Sequence, residues 1–221
     1  MTSISENLKN IKSTLPDHVT LVAVSKTKPV SDLTEAYNAG QRIFGENKIQ
    51  EMAEKHENMP KDIQWHMIGH VQRNKVKYMA EFVSLIHGVD NFKLLKEINK
   101  QAEKHSRTID CLLQIKIASE ESKFGMTLSN AEDILHSEDF SALKNIKVTG
   151  VMGMATFTED DAQIKSEFNK LKSAFDSLKN IEHPNFKPET ISMGMSGDYK
   201  LAIACGSTMV RVGSSIFGHR S

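Results

Sequence analysis

Short apolar runs alternate with amphipathic runs along the whole chain, and this alternation restricts the fold more than any other feature. Residues 19–25, 41–44, 63–68, 82–86, 111–117, 147–152, 190–193 and 208–212 read as strands. Residues 33–38, 49–56, 72–80, 92–102, 128–135, 162–178 and 199–204 read as the intervening helices. A leading helix over 7–15 puts Leu8, Ile11 and Leu15 on one face. The clearest helix has Phe92, Leu95, Ile98 and Ala102 at helical spacing, with lysines and glutamates opposite. Ser129 or Asn130 is the expected cap of the helix at 128–135. The strands lack an exposed polar face, as a parallel sheet covered by helices requires. Eight such units in 221 residues predict a compact α/β fold, a single-domain (β/α)8 barrel spanning 1–221. A doubly wound open sheet is the alternative.

Composition excludes several roles. The 28 basic and 28 acidic residues cancel, so neither nucleic acid nor an anionic membrane is expected as the main partner. Hydrophobic content of 39% and charged content of 25% are those of a soluble globular protein. Residues 1–17 are polar with mixed charge and do not resemble a signal peptide, and no apolar run approaches a membrane span. Cys111 and Cys205 sit inside apolar segments and read as reduced core thiols, which suits a cytoplasmic protein.

The chemistry starts at Lys26. It follows the apolar run Leu21-Val22-Ala23-Val24 and precedes Lys28-Pro29, so it lies at the carboxyl end of a buried strand. There a lysine either snorkels to water or, desolvated, becomes an amine able to form a Schiff base. In a (β/α)8 barrel the loops after the strands build the site. Asn47 and Gly69 follow the second and third strands; Met195-Ser196-Gly197 and Arg211, Gly213 and Ser214 follow the last two. Small residues and serine hydroxyls there let backbone N–H groups approach a phosphate, and barrels commonly bind phosphate at these loops. The glycines also have a plain reading as tight turns. An amine and a phosphate cup on one face together suit pyridoxal 5′-phosphate, which carries both an aldehyde and a phosphate. His66 and His70, four apart across a strand end, are too far apart to share one metal and read as pocket-wall or loop residues. Arg73, Lys75 and Lys77 read as a solvated helix face. The methionines are core filler, with Met193 and Met195 bordering the proposed site.

The segments AVSKTKP at 23–29, FGEN at 44–47, WHMIGHVQRNK at 65–75, SKFGM at 122–126, GMSGD at 194–198 and GSTMVRVGSSIFG at 206–218 span nearly the whole chain. On these motifs the chain resembles the pyridoxal phosphate homeostasis protein family, related to the barrel domain of alanine racemases. The resemblance implies a barrel of the alanine racemase N-terminal type that stores or delivers pyridoxal 5′-phosphate. It implies that Lys26 carries the cofactor as a Schiff base, that Ser196, Gly213 and Ser214 hold its phosphate, that Arg211 faces the pyridine nitrogen, and that Asn47 lines the pocket. Ser214 stands where threonine is common, and Phe124 where a smaller residue often bears on the pocket rim. A fixed cation at the pyridine nitrogen makes the ring a poorer electron sink, which disfavours transamination and decarboxylation. Racemisation needs a second acid/base, for which Tyr199 is the best local substitute, although a packing or rim role is the favoured reading of that tyrosine. The expected protein is a monomer with little catalysis of its own, whose partners are pyridoxal 5′-phosphate and pyridoxal-dependent apo-enzymes. The alternatives are a low-activity amino-acid racemase on the same cofactor and a Schiff-base aldolase acting on a phosphorylated sugar.

Overall fold

A computed structural model describes residues 3–120 and 124–218. Ser122 and Lys123 of the SKFGM segment lie outside the described residues. The chain opens with α1 (Ile4–Ser13), then β1 (Thr20–Val24), α2 (Val30–Asn38), β2 (Ile43–Glu46), α3 (Ile49–Asn58) and β3 (Gln64–Met67). A 3-10 helix (Arg73–Tyr78) leads to β4 (Val83–Val89), α4 (Phe92–Lys104), β5 (Ile109–Gln114), α5 (Leu128–His136) and the short α6 (Glu138–Ser141). The last third contains β6 (Ile146–Met152), α7 (Asp161–Leu178), β7 (Phe186–Met195), α8 (Tyr199–Ala204), β8 (Met209–Val212) and α9 (Ser214–Phe217).

The eight strands pair in parallel in sequence order, and β8 closes on β1 with Thr20 opposite Met209 and Ala23 opposite Val212. The closed barrel replaces the open-sheet alternative. Strand alternation divides the core. Leu21, Ala23, Phe44, Cys111, Leu113, Val210 and Val212 pack outward against the helices, while Val22, Leu112 and Met209 fill the barrel interior with Leu85 and Met152. Cys111 and Cys205 are free and buried.

The boundaries moved for identifiable reasons. Helix α1 starts at Ile4 rather than at residue 7, because Ser3 and Glu6 form a reciprocal capping box ahead of it. The cap of α5 is Thr127, which accepts the Asn130 N–H, rather than Ser129 or Asn130. The segment expected as a helix at 72–80 is a 3-10 helix over Arg73–Tyr78, within which Val76 is the buried residue. Strand β7 starts four residues earlier than its apolar run, at Phe186; its register against β6 shifts between Val148 and Gly150, accommodating Pro188. Strand β5 stops at Gln114; the Ile115 N–H still donates to the Met152 carbonyl at 2.9 Å, and Ile115 bridges to Met126.

Candidate functional site

All six residues singled out for cofactor contact line one cavity of about 1140 Å³ at the carboxyl ends of the strands. Alternation explains how they get there. Val22 points into the barrel, so Val24 and Lys26 continue the same face of β1, and Ser25 still bonds to the β2 ladder through Gly45 at 3.1 Å. On β2, Ile43 faces inward, which puts Gly45 and Asn47 inward as well. On β8, Met209 faces inward, followed by Arg211 and Gly213. Gly69 lets the loop after β3 lie against Asn47: a Cβ there would meet the Asn47 carbonyl oxygen at 2.5 Å.

The loops after β7 and β8 are tied together, since the Gly213 N–H donates to Ser196 Oγ at 3.1 Å. A Cβ on Gly213 would lie 3.1 Å from the Val24 carbonyl oxygen, so the glycine brings the end of β8 against the end of β1, beside Lys26. Lys28, Ser214 and Gly218 complete this side. Asp198 also reaches the cavity, its Oδ1 accepting the Met195 N–H at 2.5 Å; burial pushes its carboxyl up. The opposite wall is the loop after β6, including Met154, Thr156 and Phe157.

Arg211 forms part of the floor. It is 4% exposed, and its guanidinium donates to Ser192 Oγ at 2.6 Å and to the Gly153 carbonyl at 3.2 Å. Burial lowers its pKa to about 10, opposed by the Asp198 carboxylate, so it stays cationic at neutral pH. Ser192 Oγ lies 3.0 Å from His87 Nδ1, and His87 Nε2 lies 3.0 Å from His66 Nδ1. This chain of polar groups crosses the barrel interior. Burial lowers the His66 pKa to about 3; burial, then His66 and Arg211, lower that of His87. Both imidazoles are neutral, so His87, bonded at both ring nitrogens, donates through one and accepts through the other.

Other residues fall elsewhere. Tyr199 is buried in the helix-facing core with its hydroxyl 3.2 Å from Thr14 Oγ1, and it does not line the cavity. Met195 lines the cavity; Met193 packs outward, contrary to expectation, because alternation puts it opposite Ser192. Phe124 is not a lining residue but stacks on His70, ring centroids 4.2 Å apart. His66 is part of the interior chain, while His70 is exposed in a loop beside Asp90. His87 and Ser192 escaped the sequence reading; the available signal was a polar side chain at an inward-facing position of an otherwise apolar strand.

The donor set suits an anion with an aldehyde beside it. Two serine hydroxyls, Lys28 and Arg211 supply positive charge and hydrogen-bond donors, and Lys26 supplies an amine on the same wall. Among the described residues no cluster of three or more His, Cys, Asp and Glu side chains is placed to hold a metal ion. Also among them, no helix is long and apolar enough to cross a membrane.

The chain matches the family described as alanine racemase, N-terminal domain, over residues 1–221. It is 38% identical over 235 aligned positions to the pyridoxal phosphate homeostasis protein of Vibrio alginolyticus, covering 100% of this chain and 99% of that one. The structure of PipY of Synechococcus elongatus with PLP bound superposes with a TM-score of 0.88 at 33% identity, covering 98% of this chain and 100% of PipY. Alanine racemase of E. faecalis shares the fold at a TM-score of 0.75 and 17% identity; 98% of this chain matches 58% of the racemase.

Proposed function

The chain belongs to the pyridoxal phosphate homeostasis protein family, and from that premise we propose that it binds pyridoxal 5′-phosphate in the cavity above the barrel, for storage or delivery of the cofactor. The observation carrying this reading is that Lys26, Asn47, Ser196, Arg211, Gly213 and Ser214, from four separate strand ends, line a single cavity. Ser196, Gly213 and Ser214 are assigned to the phosphate, Asn47 to the wall, and Arg211 to the ring nitrogen. Lys26 is assigned to covalent attachment. Lys26 would hold the cofactor through its amine, and the cofactor would supply the aldehyde for that attachment, water being the leaving group.

Arg211 argues for holding rather than transforming. Fixed by Ser192 and Gly153, it keeps a cation where many pyridoxal enzymes place a carboxylate, so protonation of the ring nitrogen is disfavoured. The racemase reading loses its local second acid/base, because the Tyr199 hydroxyl turns to Thr14. The protein is proposed to act as a cytoplasmic monomer that passes the cofactor to pyridoxal-dependent apo-enzymes. Light scattering tests the monomer.

The test is the visible absorption spectrum of the purified protein before and after borohydride, followed by peptide mapping. A yellow protein that bleaches and carries a reduced pyridoxyl group on Lys26 is the expected result. A protein that stays colourless and unmodified in excess pyridoxal phosphate overturns the reading and favours an aldolase. A chirality assay on free amino acids separates the racemase.

A further inference from the structure

Behind the cavity wall lies a charged cluster whose members do not line the cavity. Ser25 and Glu46 face outward, away from Lys26 and Asn47, and α3 covers them. Lys55 on α3 is almost fully buried, and its ammonium donates to the Ser25 carbonyl at 2.8 Å, Glu46 Oε1 at 2.8 Å and Glu51 Oε1 at 2.7 Å. Its three hydrogens are all engaged. Ser25 Oγ donates to the same Glu46 oxygen at 2.6 Å, and the Thr27 N–H donates to Glu51 Oε1 at 2.5 Å. The residues on both sides of Lys26 are therefore tied, through one ammonium and two carboxylates, to a single helix.

Two features are costly for a purely structural cluster. Thr27 has φ of 64°, a left-handed conformation that a β-branched residue rarely adopts. Glu46 is fully buried, and its second carboxylate oxygen has no hydrogen-bond partner. A buried ion cluster is seldom more stabilising than apolar residues of the same size. What this one does is hold the backbone on either side of the lysine.

We infer that Lys55, Glu46 and Glu51 are positioning residues that set the turn at Ser25–Thr27, so that the Lys26 amine is presented to an aldehyde seated in the cavity. The inference rests on Lys26 being the attachment point. Glu51 is the residue to test, because without it Lys55 keeps Glu46 as its counter-ion and the fold is expected to persist.

The experiment compares wild type, Glu51→Ala, Thr27→Asn and the double variant by two measurements. The first is amide hydrogen exchange at Thr27 in the apoprotein. The second is the rate of attachment of pyridoxal phosphate, set against the affinity for pyridoxine 5′-phosphate, which has the phosphate and no aldehyde. Glu51→Ala is expected to accelerate Thr27 exchange and slow attachment by about tenfold, as displacement of a reacting group commonly does. Its affinity for pyridoxine 5′-phosphate should stay within about twofold, since it leaves the phosphate cup in place. Asparagine tolerates the left-handed turn, so Thr27→Asn should shrink the effect of Glu51→Ala. Unchanged exchange and attachment in Glu51→Ala overturn the inference, and so does a parallel loss of attachment and pyridoxine phosphate affinity. A wild-type protein that takes up neither compound overturns the cofactor reading instead, and Thr27 exchange then still decides whether the clamp exists.

Discussion

Lys26 and Arg211 show how far single residues specify a site. Both lie on the inward side, Lys26 at the rim in the turn just past β1 and Arg211 on the floor within β8, and strand alternation accounts for that placement. Replacing Lys26 by alanine should abolish borohydride-stable labelling while leaving phosphate-dependent binding through Ser196, Gly213 and Ser214. Labelling that persists at another lysine would refute the assignment. The interior histidines make a separate prediction. His66 in the folded protein titrates near 3, against 6.5 for the ordinary group, so the unfolded chain binds the extra proton first. The stability owed to a neutral His66 is complete above about pH 6.5 and falls as the pH drops toward 3. Denaturant unfolding at pH 5.5 should give about 1 kcal/mol less stability on account of His66 than at pH 7.5, with His87 acting in the same direction. A flat profile over that interval would mean that the imidazoles are not held neutral. The His66–His87–Ser192–Arg211 chain was illegible in sequence because its members come from β3, β4, β7 and β8, and a polar residue on a strand does not announce its partner.

At the level of elements, α7 does more than cover the sheet. Glu167, 1% exposed, accepts hydrogen bonds from the Ser119 N–H and hydroxyl after β5 and the Thr156 N–H and hydroxyl after β6. Burial works to raise its pKa, but bonds from Thr156, Ser119 and Gln163 outweigh burial and hold it at about 2. One carboxylate thereby joins two loops to a helix and fixes the Thr156 side of the cavity. Glu167→Ala should destabilise the protein by about 3 kcal/mol, read from the denaturant midpoint, because it leaves several buried donors unpaired. A loss below ~1 kcal/mol, within the range of an ordinary surface change, would show that those donors find water instead. The contribution of Glu167 is present above pH 4.5 and lost as acidification approaches 2. The periodicity of α7 was legible over most of its length. Its role as a clamp was not, because Glu167 sits among charged neighbours and only the burial of that one carboxylate distinguishes it.

For the whole molecule the decisive event is closure. The β1–β8 ladder joins the two ends of the chain, and α1 reinforces it by packing on α9, where Asn7 Nδ2 donates to the Ile216 carbonyl at 3.1 Å. The proposed phosphate loops lie beside that seam, so a ligand bound there should stabilise the entire barrel. At a concentration a hundredfold above its Kd, pyridoxal phosphate should add about 2.7 kcal/mol. For a chain of this size that corresponds to roughly 5–10 °C in melting temperature. Lys26→Ala should keep part of the shift, whereas no shift in the wild type would mean that the folded protein does not bind the ligand. The amino-acid sequence by itself determined the strand and helix periods, the parallel covered sheet and the clustering of lysine, glycine and serine at strand ends. Those follow from local alternation and chain stiffness, which act over a few residues. Tertiary structure settled the expected barrel against the open sheet, and it alone decided that Met193 faces the core and that Lys55 and Glu51 reach the turn that carries Lys26. Each of these depends on groups distant along the chain becoming neighbours as the barrel curves shut.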